Sequence, residues 1–332
     1  MMEPMPEHSS PAARLHAGVD IGGTKVAVCL ARMAPGARLP QILDRLSEPT
    51  AKTGPPEALA QQVLRLLDAI CERQGLARAG LGAVGVASCG PFVRRAGGIE
   101  VANPNICGAL AGAATALPNR WTQVPLQAPL AAALGPGVRL RIANDAVAAL
   151  VAERCWGALA GSADCAYVTW STGVGVGLCV DGRVLAGKNG NAGHAGHSFV
   201  ADLAGEAPLC GCGNRGDVES QVAGGALAAR LGVDAPALLV AAQQGDARAL
   251  AEVRALCGLM GRLLYNLVAT LDLARISLGG SVFLHHQALL LPLLRAELQR
   301  HFPALTRGVE LLPAGLGHQV GDYAALALLA QD

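Results

Sequence analysis

The stretch GVDIGGTKVAVCLA, Gly18 to Ala31, constrains the fold more than any other. Its valines, isoleucine and alanines form an apolar run suited to a strand buried on both faces. Asp20, Gly22, Gly23, Thr24 and Lys25 interrupt that run, so a buried hairpin carries its turn and two charges at one point. A tight polar turn would explain this. So would a backbone cradle for phosphate, in which glycines let the chain approach an anion and amide hydrogens point at it. A second stretch repeats the theme: STGVGVG, Ser171 to Gly177, lies between two apolar runs. Neither is a Walker A loop or a dinucleotide fingerprint, because a strand rather than a helix follows each. Singly, each fits a structural turn. Together they suggest two hairpins gripping one polyphosphate from opposite sides, with amides, hydroxyls and Lys25 as donors, and they hint at two related lobes.

Strand-like and helix-like patterns alternate along the whole chain, which points to an α/β protein. PPEALAQQVLRLLDAICERQG is an amphipathic helix opened by Pro55 and Pro56 and followed by Gly75. VRLRIANDAVAALVAERCWG reads as a strand, a turn at Asn144–Asp145 and a helix ended at Gly157. Asp181–Gly182 closes a further hairpin. Gly187 to Gly225 reads as loop; a long helix, the strand RISLGGSV, the helix FLHHQALLLPLLRAELQRHF and the closing helix VGDYAALALLAQ follow.

A chain of 332 residues suits two domains. With 52% apolar and only 15% charged residues it can build a core rather than stay disordered. The net charge is +1 without a lysine or arginine cluster, which argues against a nucleic-acid or anionic-membrane partner. The long uncharged runs are broken by Gly, Ser and Thr, and none is a span of about 20 apolar residues. The polar, proline-bearing start lacks a secretory pattern. Ten cysteines in that setting point to a reducing, cytoplasmic compartment. Cys29, Cys71, Cys155, Cys165, Cys179 and Cys257 fall in apolar patterns and read as small core residues.

Three further groups carry chemistry. Asn144 or Asp145 would cap the helix that follows; alternatively the Asp145 carboxylate faces a cleft as base for a hydroxyl, held ionised by helix-end amides. His194 and His197 lie in a glycine-rich loop, and Cys210-x-Cys212 with a nearby His and acid fits a tetrahedral zinc set. Gly279–Gly280 ends a strand before a helix, where a nucleotide can approach backbone.

In this order the motifs resemble the ROK group of sugar kinases and repressors, within the actin-like, hexokinase-type ATPase superfamily. Asp20, Gly22, Thr24 and Lys25 match its D-x-G-G-T-K motif and Pro104–Asn105 its P-N turn. Asn144, Asp145 and Glu153 match its N-D…G-E segment, and Thr172, Gly173, Gly175 and Gly177 its second phosphate turn. Gly196–His197 match the end of its E-x-G-H motif. Cys210, Cys212, Gly213, Gly216 and Glu219 match its C-x-C-G-x-x-G-C-x-E signature. The resemblance covers almost the whole chain.

The resemblance implies a two-lobed actin-like (ribonuclease H-like) α/β fold with mixed sheets flanked by helices. The small lobe would span residues 1–141, with the helix 320–332 returning to it, and the large lobe 142–319. It implies a kinase that uses ATP and Mg²⁺ to phosphorylate a hexose, at the 6-hydroxyl, with Asp145 catalytic. Asn105, Asn144, His194, His197 and Glu219 would hold the sugar. Asp20, Gly22, Gly23, Thr24, Lys25, Ser171, Thr172, Gly173, Gly279 and Gly280 would hold the nucleotide, Asp20 through the metal's outer shell. Glucose is the family default; N-acetylmannosamine, N-acetylglucosamine and kanosamine are alternatives. A homodimer is implied. A family repressor carries a DNA-binding helix-turn-helix before the first motif, and the segment here is too short and not basic.

Two positions depart from the pattern. His194 stands where the family usually has a sugar-binding Glu, which changes what the sugar must offer. Asp217 stands where the third Cys normally is, so His197, Cys210, Cys212 and Asp217 would form the structural zinc set.

Overall fold

A computed structural model describes residues 15–34, 37–111, 116–201 and 207–330. Residues 1–14 and 331–332 lie outside them, and with the latter the end of the helix expected over 320–332. The interrupted apolar run forms β1 (Leu15–Ile21) and β2 (Lys25–Arg32), an antiparallel hairpin with Asp20 opposite Ala27. β3 (Gln41–Pro49) extends it as an edge strand. Its polar sequence and half-exposed face hide it from a hydrophobicity reading. The amphipathic helix α1 (Ala58–Glu72) covers this sheet, and β4 (Ala83–Ser88), buried at every residue, pairs parallel with β1.

A small antiparallel sheet of β5 (Phe92–Arg95), β6 (Gly98–Val101) and β7 (Val124–Pro125), with α2 (Gln127–Leu134), follows. The sequence patterns did not resolve these short strands. β8 (Arg139–Asn144) then joins β4 in parallel, so the first five-stranded sheet reads β3-β2-β1-β4-β8. β8 thus crosses the 141/142 division drawn from the sequence.

After α3 (Asp145–Trp156) the same architecture recurs. β9 (Cys165–Trp170) and β10 (Val174–Val180) make the second hairpin and β11 (Arg183–Val184) its edge; Asp181 and Gly182 turn between the last two with positive φ. Next come α4 (Val218–Val222), α5 (Gly224–Leu231), α6 (Ala235–Gln243) and the 25-residue α7 (Ala247–Leu271). β12 (Arg275–Gly279) returns parallel to β9. The segment from Phe283 expected as one helix is two, α8 (Ser281–His285) and α9 (Gln287–Gln299), because His286 leaves helical geometry and its Nδ1 meets Gln243 Oε1 at 3.2 Å. α10 (Pro303–Thr306), β13 (Glu310–Pro313) and α11 (Val320–Ala327) complete the chain. The second sheet reads β11-β10-β9-β12-β13, the strand order and sense of the first repeated. No single helix is long and apolar enough to cross a membrane.

Each sheet buries one face against its own helices, and a third core lies between the sheets, where α3 and α11 pack. Glycines set how closely those helices approach. A Cβ at Gly177 would stand 2.7 Å from Leu150 Cβ of α3, and one at Gly85 would collide with the Ala325 carbonyl of α11. Glu153, wholly buried on α3, accepts from the Ala158, Gly315 and Leu316 amides at 2.8–2.9 Å and from Ser277 Oγ at 3.3 Å. One carboxylate therefore ties α3 to β12 and to the approach to α11. Cys29, Cys71, Cys165, Cys179 and Cys257 are buried and Cys155 partly so.

Candidate active site and metal cluster

Parallel strands carry their carboxyl ends to one edge, where α/β proteins bind ligands. In the first sheet Ile21, Ser88 and Asn144 stand in register, so the first turn and the start of α3 share that edge. In the second, Thr169 pairs with Gly279, placing the Ser171–Gly173 turn beside Gly279–Gly280. α3 joins the two. A Cβ at Gly175 would lie 3.1 Å from Ala146 Cβ, so the residue after Asp145 rests against the second hairpin.

The turns differ from a uniform cradle. Gly22 N–H donates to Lys25 O at 2.9 Å, and Thr50 fastens the turn through Gly22 O and Thr24 O. The Gly23 and Thr24 amides remain without a partner among the described residues. A Cβ at Gly23 would stand 2.7 Å from Asn105 Cβ, so the Pro104–Asn105 turn packs against it. In the second turn Ser171 N–H donates to Gly173 O, and the Thr172 and Gly173 amides are left open. Gly280 has φ 86° and lies against the Trp170 backbone, while a Cβ at Gly279 would meet Tyr167. Packing between β12 and β9 thus accounts for both glycines.

Asn144, not Asp145, caps α3: its Oδ1 accepts from Ala146 N–H at 3.0 Å. Asp145 Oδ1 shares that amide at 2.8 Å. Asp145 is an exposed residue, yet the protein packed around its carboxylate pushes its pKa up to about 6. The Ala146 amide and Asn144 oppose that shift, and Glu219 adds to it. Burial outweighs the helix-end amides, the reverse of the balance expected from the sequence. Asp20 is raised to about 7 by burial and by the charges of Asp145 and Asp322, against Lys25. Its carboxylate has no hydrogen-bond partner among the described residues. With Lys25, Arg45, His318 and Asp322 it lines a cavity of about 360 Å³. A half-buried carboxylate that charges this reluctantly is one a divalent cation would suit.

The histidine loop lies on β10 because Gly193 and Gly196 let it touch the Val176 and Val174 carbonyls. Asn191, which the motifs did not single out, fixes it from the other side. Its side chain accepts from Phe92 N–H and donates to Phe92 O, both at 2.7 Å. Burial and the neighbouring His197 lower the pKa of His194, whose ring stacks on that of His197 with centroids 5.9 Å apart.

His197, Cys210, Cys212 and Asp217 converge. His197 Nδ1 is 3.2 Å from Asp217 Oδ2 and 3.6 Å from Cys210 Sγ, and Cys212 Sγ is 3.4 Å from Asp217 Oδ2. Tetrahedral zinc with bonds of about 2.0–2.3 Å places its ligand atoms roughly 3.3–3.8 Å apart; these three separations are near that range, and all four ligand atoms lie within 4.8 Å of one another, so the donor set could close on such an ion. Asp217 Oδ1 caps α4 through Ser220 N–H at 2.9 Å, leaving Oδ2 for the cluster. Burial opposes its ionisation, but hydrogen bonds from His197, Ser220 and the two thiols hold the carboxyl well below the usual range. Burial pushes both thiols up. Glu219 extends the network to the second turn: Oε2 accepts from Val174 N–H at 2.8 Å, and Oε1 is 3.6 Å from Cys210 Sγ.

Residues 16–332 match the description of the ROK family. The chain belongs to that family. It is 36% identical to N-acetylmannosamine kinase from Escherichia coli O157:H7, over 94% of this chain and 97% of that protein. It is 31% identical to glucokinase from Aeropyrum pernix, over 93% and 95%. Among solved structures, the ROK hexokinase from Thermus thermophilus superposes with a TM-score of 0.67 at 30% identity, covering 96% of this chain and 98% of that one. The fold expected from the motifs, an actin-like α/β architecture with mixed sheets, is the one these relatives share.

Proposed function

We propose that this chain is a sugar kinase that transfers the terminal phosphoryl group of ATP to a hydroxyl of a hexose or amino-hexose, the 6-hydroxyl. The observation that carries this reading is the placement of Asp145 between two turns that each leave adjacent amides open, Gly23 and Thr24 on one side and Thr172 and Gly173 on the other. Full-length relatives named for glucose and for N-acetylmannosamine support the substrate class.

Phosphoryl transfer is mostly positioning and charge stabilisation. The open amides and Lys25 hold the phosphates. Asn105 at the first turn and Asn144, His194 and His197 at the start of α3 and the adjoining loop orient the sugar. Asp145 accepts the hydroxyl proton; a pKa near 6 leaves it mainly ionised at neutral pH and a better base than a free carboxylate. Glu219 holds the second turn through Val174, and its charge adds to the raised pKa of Asp145. Asp20 is the carboxylate available to Mg²⁺, which supplies charge neutralisation on the triphosphate. His197, Cys210, Cys212 and Asp217 would hold a structural Zn²⁺.

ADP release with Mg·ATP and a panel of hexoses and amino-hexoses tests the reading. Asp145→Asn should lower kcat by about a thousandfold, some 4 kcal/mol, in a protein that still folds. Turnover near that of the unaltered enzyme would remove Asp145 from its role.

A further inference from the structure

The β1–β2 hairpin closes through a side chain from outside it. Ile21 pairs with Val26, so Gly22 faces Lys25 across the two-residue loop Gly23–Thr24, and its N–H donates to Lys25 O at 2.9 Å. Such a pair ordinarily exchanges two bonds, the second from the Lys25 amide to the Gly22 carbonyl. Among the described residues that second bond does not form. The Gly22 carbonyl accepts instead from Thr50 Oγ1 at 2.7 Å, a side chain just past the end of β3. This carbonyl and the Gly23 N–H belong to one planar trans peptide, so they point in opposite directions. Holding the carbonyl toward Thr50 therefore turns the Gly23 N–H away from it, and that N–H is one of the two left open at this turn.

Thr50 is itself held. It is buried, and its own amide donates to Thr24 O at 3.0 Å. Gln62 of α1, equally buried, braces the peptides on both sides of it. Gln62 Nε2 donates to Pro49 O and Gln62 Oε1 accepts from the Ala51 N–H, both at 2.8 Å. α1 thus fixes the backbone from which the hydroxyl reaches the turn. Taking the chain as a kinase, on which this rests, we infer that Thr50 is a positioning residue of the first turn: its hydroxyl aims the Gly23 N–H at the phosphates of the nucleotide. Without that hydroxyl the carbonyl loses its partner, the peptide is free to rotate, and the N–H swings with it. The loss falls on the nucleotide, because that carbonyl is the hydroxyl's one partner among the described residues.

Kinetics with Mg·ATP and an accepted sugar test this in Thr50→Val, which keeps the shape and removes the hydroxyl, and in Thr50→Ser, which keeps the hydroxyl. Thr50→Val should raise KM for ATP about tenfold and leave KM for the sugar within about twofold, and Thr50→Ser should stay within about threefold of the unaltered enzyme. Gln62→Glu keeps the acceptor for Ala51 and loses the donor to Pro49. It should raise KM for ATP by a smaller factor, about threefold, and it decides the matter if Thr50→Val does not fold. Calorimetric titration with Mg²⁺ and a non-hydrolysable ATP analogue reads the same loss without turnover. A KM for ATP unmoved by Thr50→Val, or by Gln62→Glu in its place, overturns the proposal and leaves the kinase reading intact. So does an equal rise for ATP and sugar, or a Thr50→Ser as impaired as Thr50→Val. An unaltered protein that binds the analogue but phosphorylates no sugar overturns the kinase reading, while the variants' affinities still decide the role of Thr50. No binding of the analogue overturns both.

Discussion

Asp20 and Asp145 stand beside each other's fields in a place that disfavours charge, and both hold protons more tightly folded than unfolded. Their folded values are about 7 and about 6, against 3.8 for an unperturbed Asp. Between about pH 4 and pH 7 the folded protein therefore binds more protons than the unfolded chain, and stability falls as pH rises through that window. The proposed function would account for this arrangement: the same crowding would make Asp145 a stronger base and Asp20 receptive to a cation. Asp20→Asn should consequently melt at a higher temperature than the unaltered protein at pH 8 without Mg²⁺, the difference closing below about pH 4. Equal melting temperatures at pH 8 would mean that the carboxylate is not strained. These shifts could not be read from the local sequence, because burial is their first cause and the charges that add to it, Asp145 and Asp322 for Asp20 and Glu219 for Asp145, lie far along the chain.

At the scale of elements, the decisive contacts are helix on sheet. α11 comes down on β4 at Gly85 and α3 on β10 at Gly177, in each case with backbone or Cβ atoms where a side chain would be. Gly85→Ala should therefore lift α11 and destabilise the protein by about 2 kcal/mol or more, measured by denaturant unfolding. A change under about 0.5 kcal/mol would show that α11 yields freely. The hairpins, α1 and α3 were legible because alternating or helical apolar spacing survives in a local window. β3 and β5 to β7 were not, because short or edge strands bury too little to impose a pattern. Nor was the break at His286, which a contact with Gln243 on α6 accompanies.

Across the molecule, the candidate metal cluster connects with the candidate site. Cys210 touches Glu219, and Glu219 holds Val174 after the second turn. Metal analysis of the purified protein should find about one zinc per chain. Chelation should lower the melting temperature and raise KM for ATP several-fold, because the turn loses its fixed support. Absence of zinc, or chelation without either effect, would mean that hydrogen bonds alone hold the loop. Asp217 shows what sequence could supply here. Its position suggested a ligand, but only the fold reveals that one oxygen caps α4 while the other meets His197.

The sequence by itself determined the family and the two turns, since each is written within a few neighbouring positions. Tertiary structure alone decided which amides stay open, how Asp145 is tuned and how Asn191 anchors the histidine loop. Those properties depend on desolvation and on hydrogen bonds between segments tens to hundreds of residues apart, and they come into being only when the two sheets close on α3 and α11.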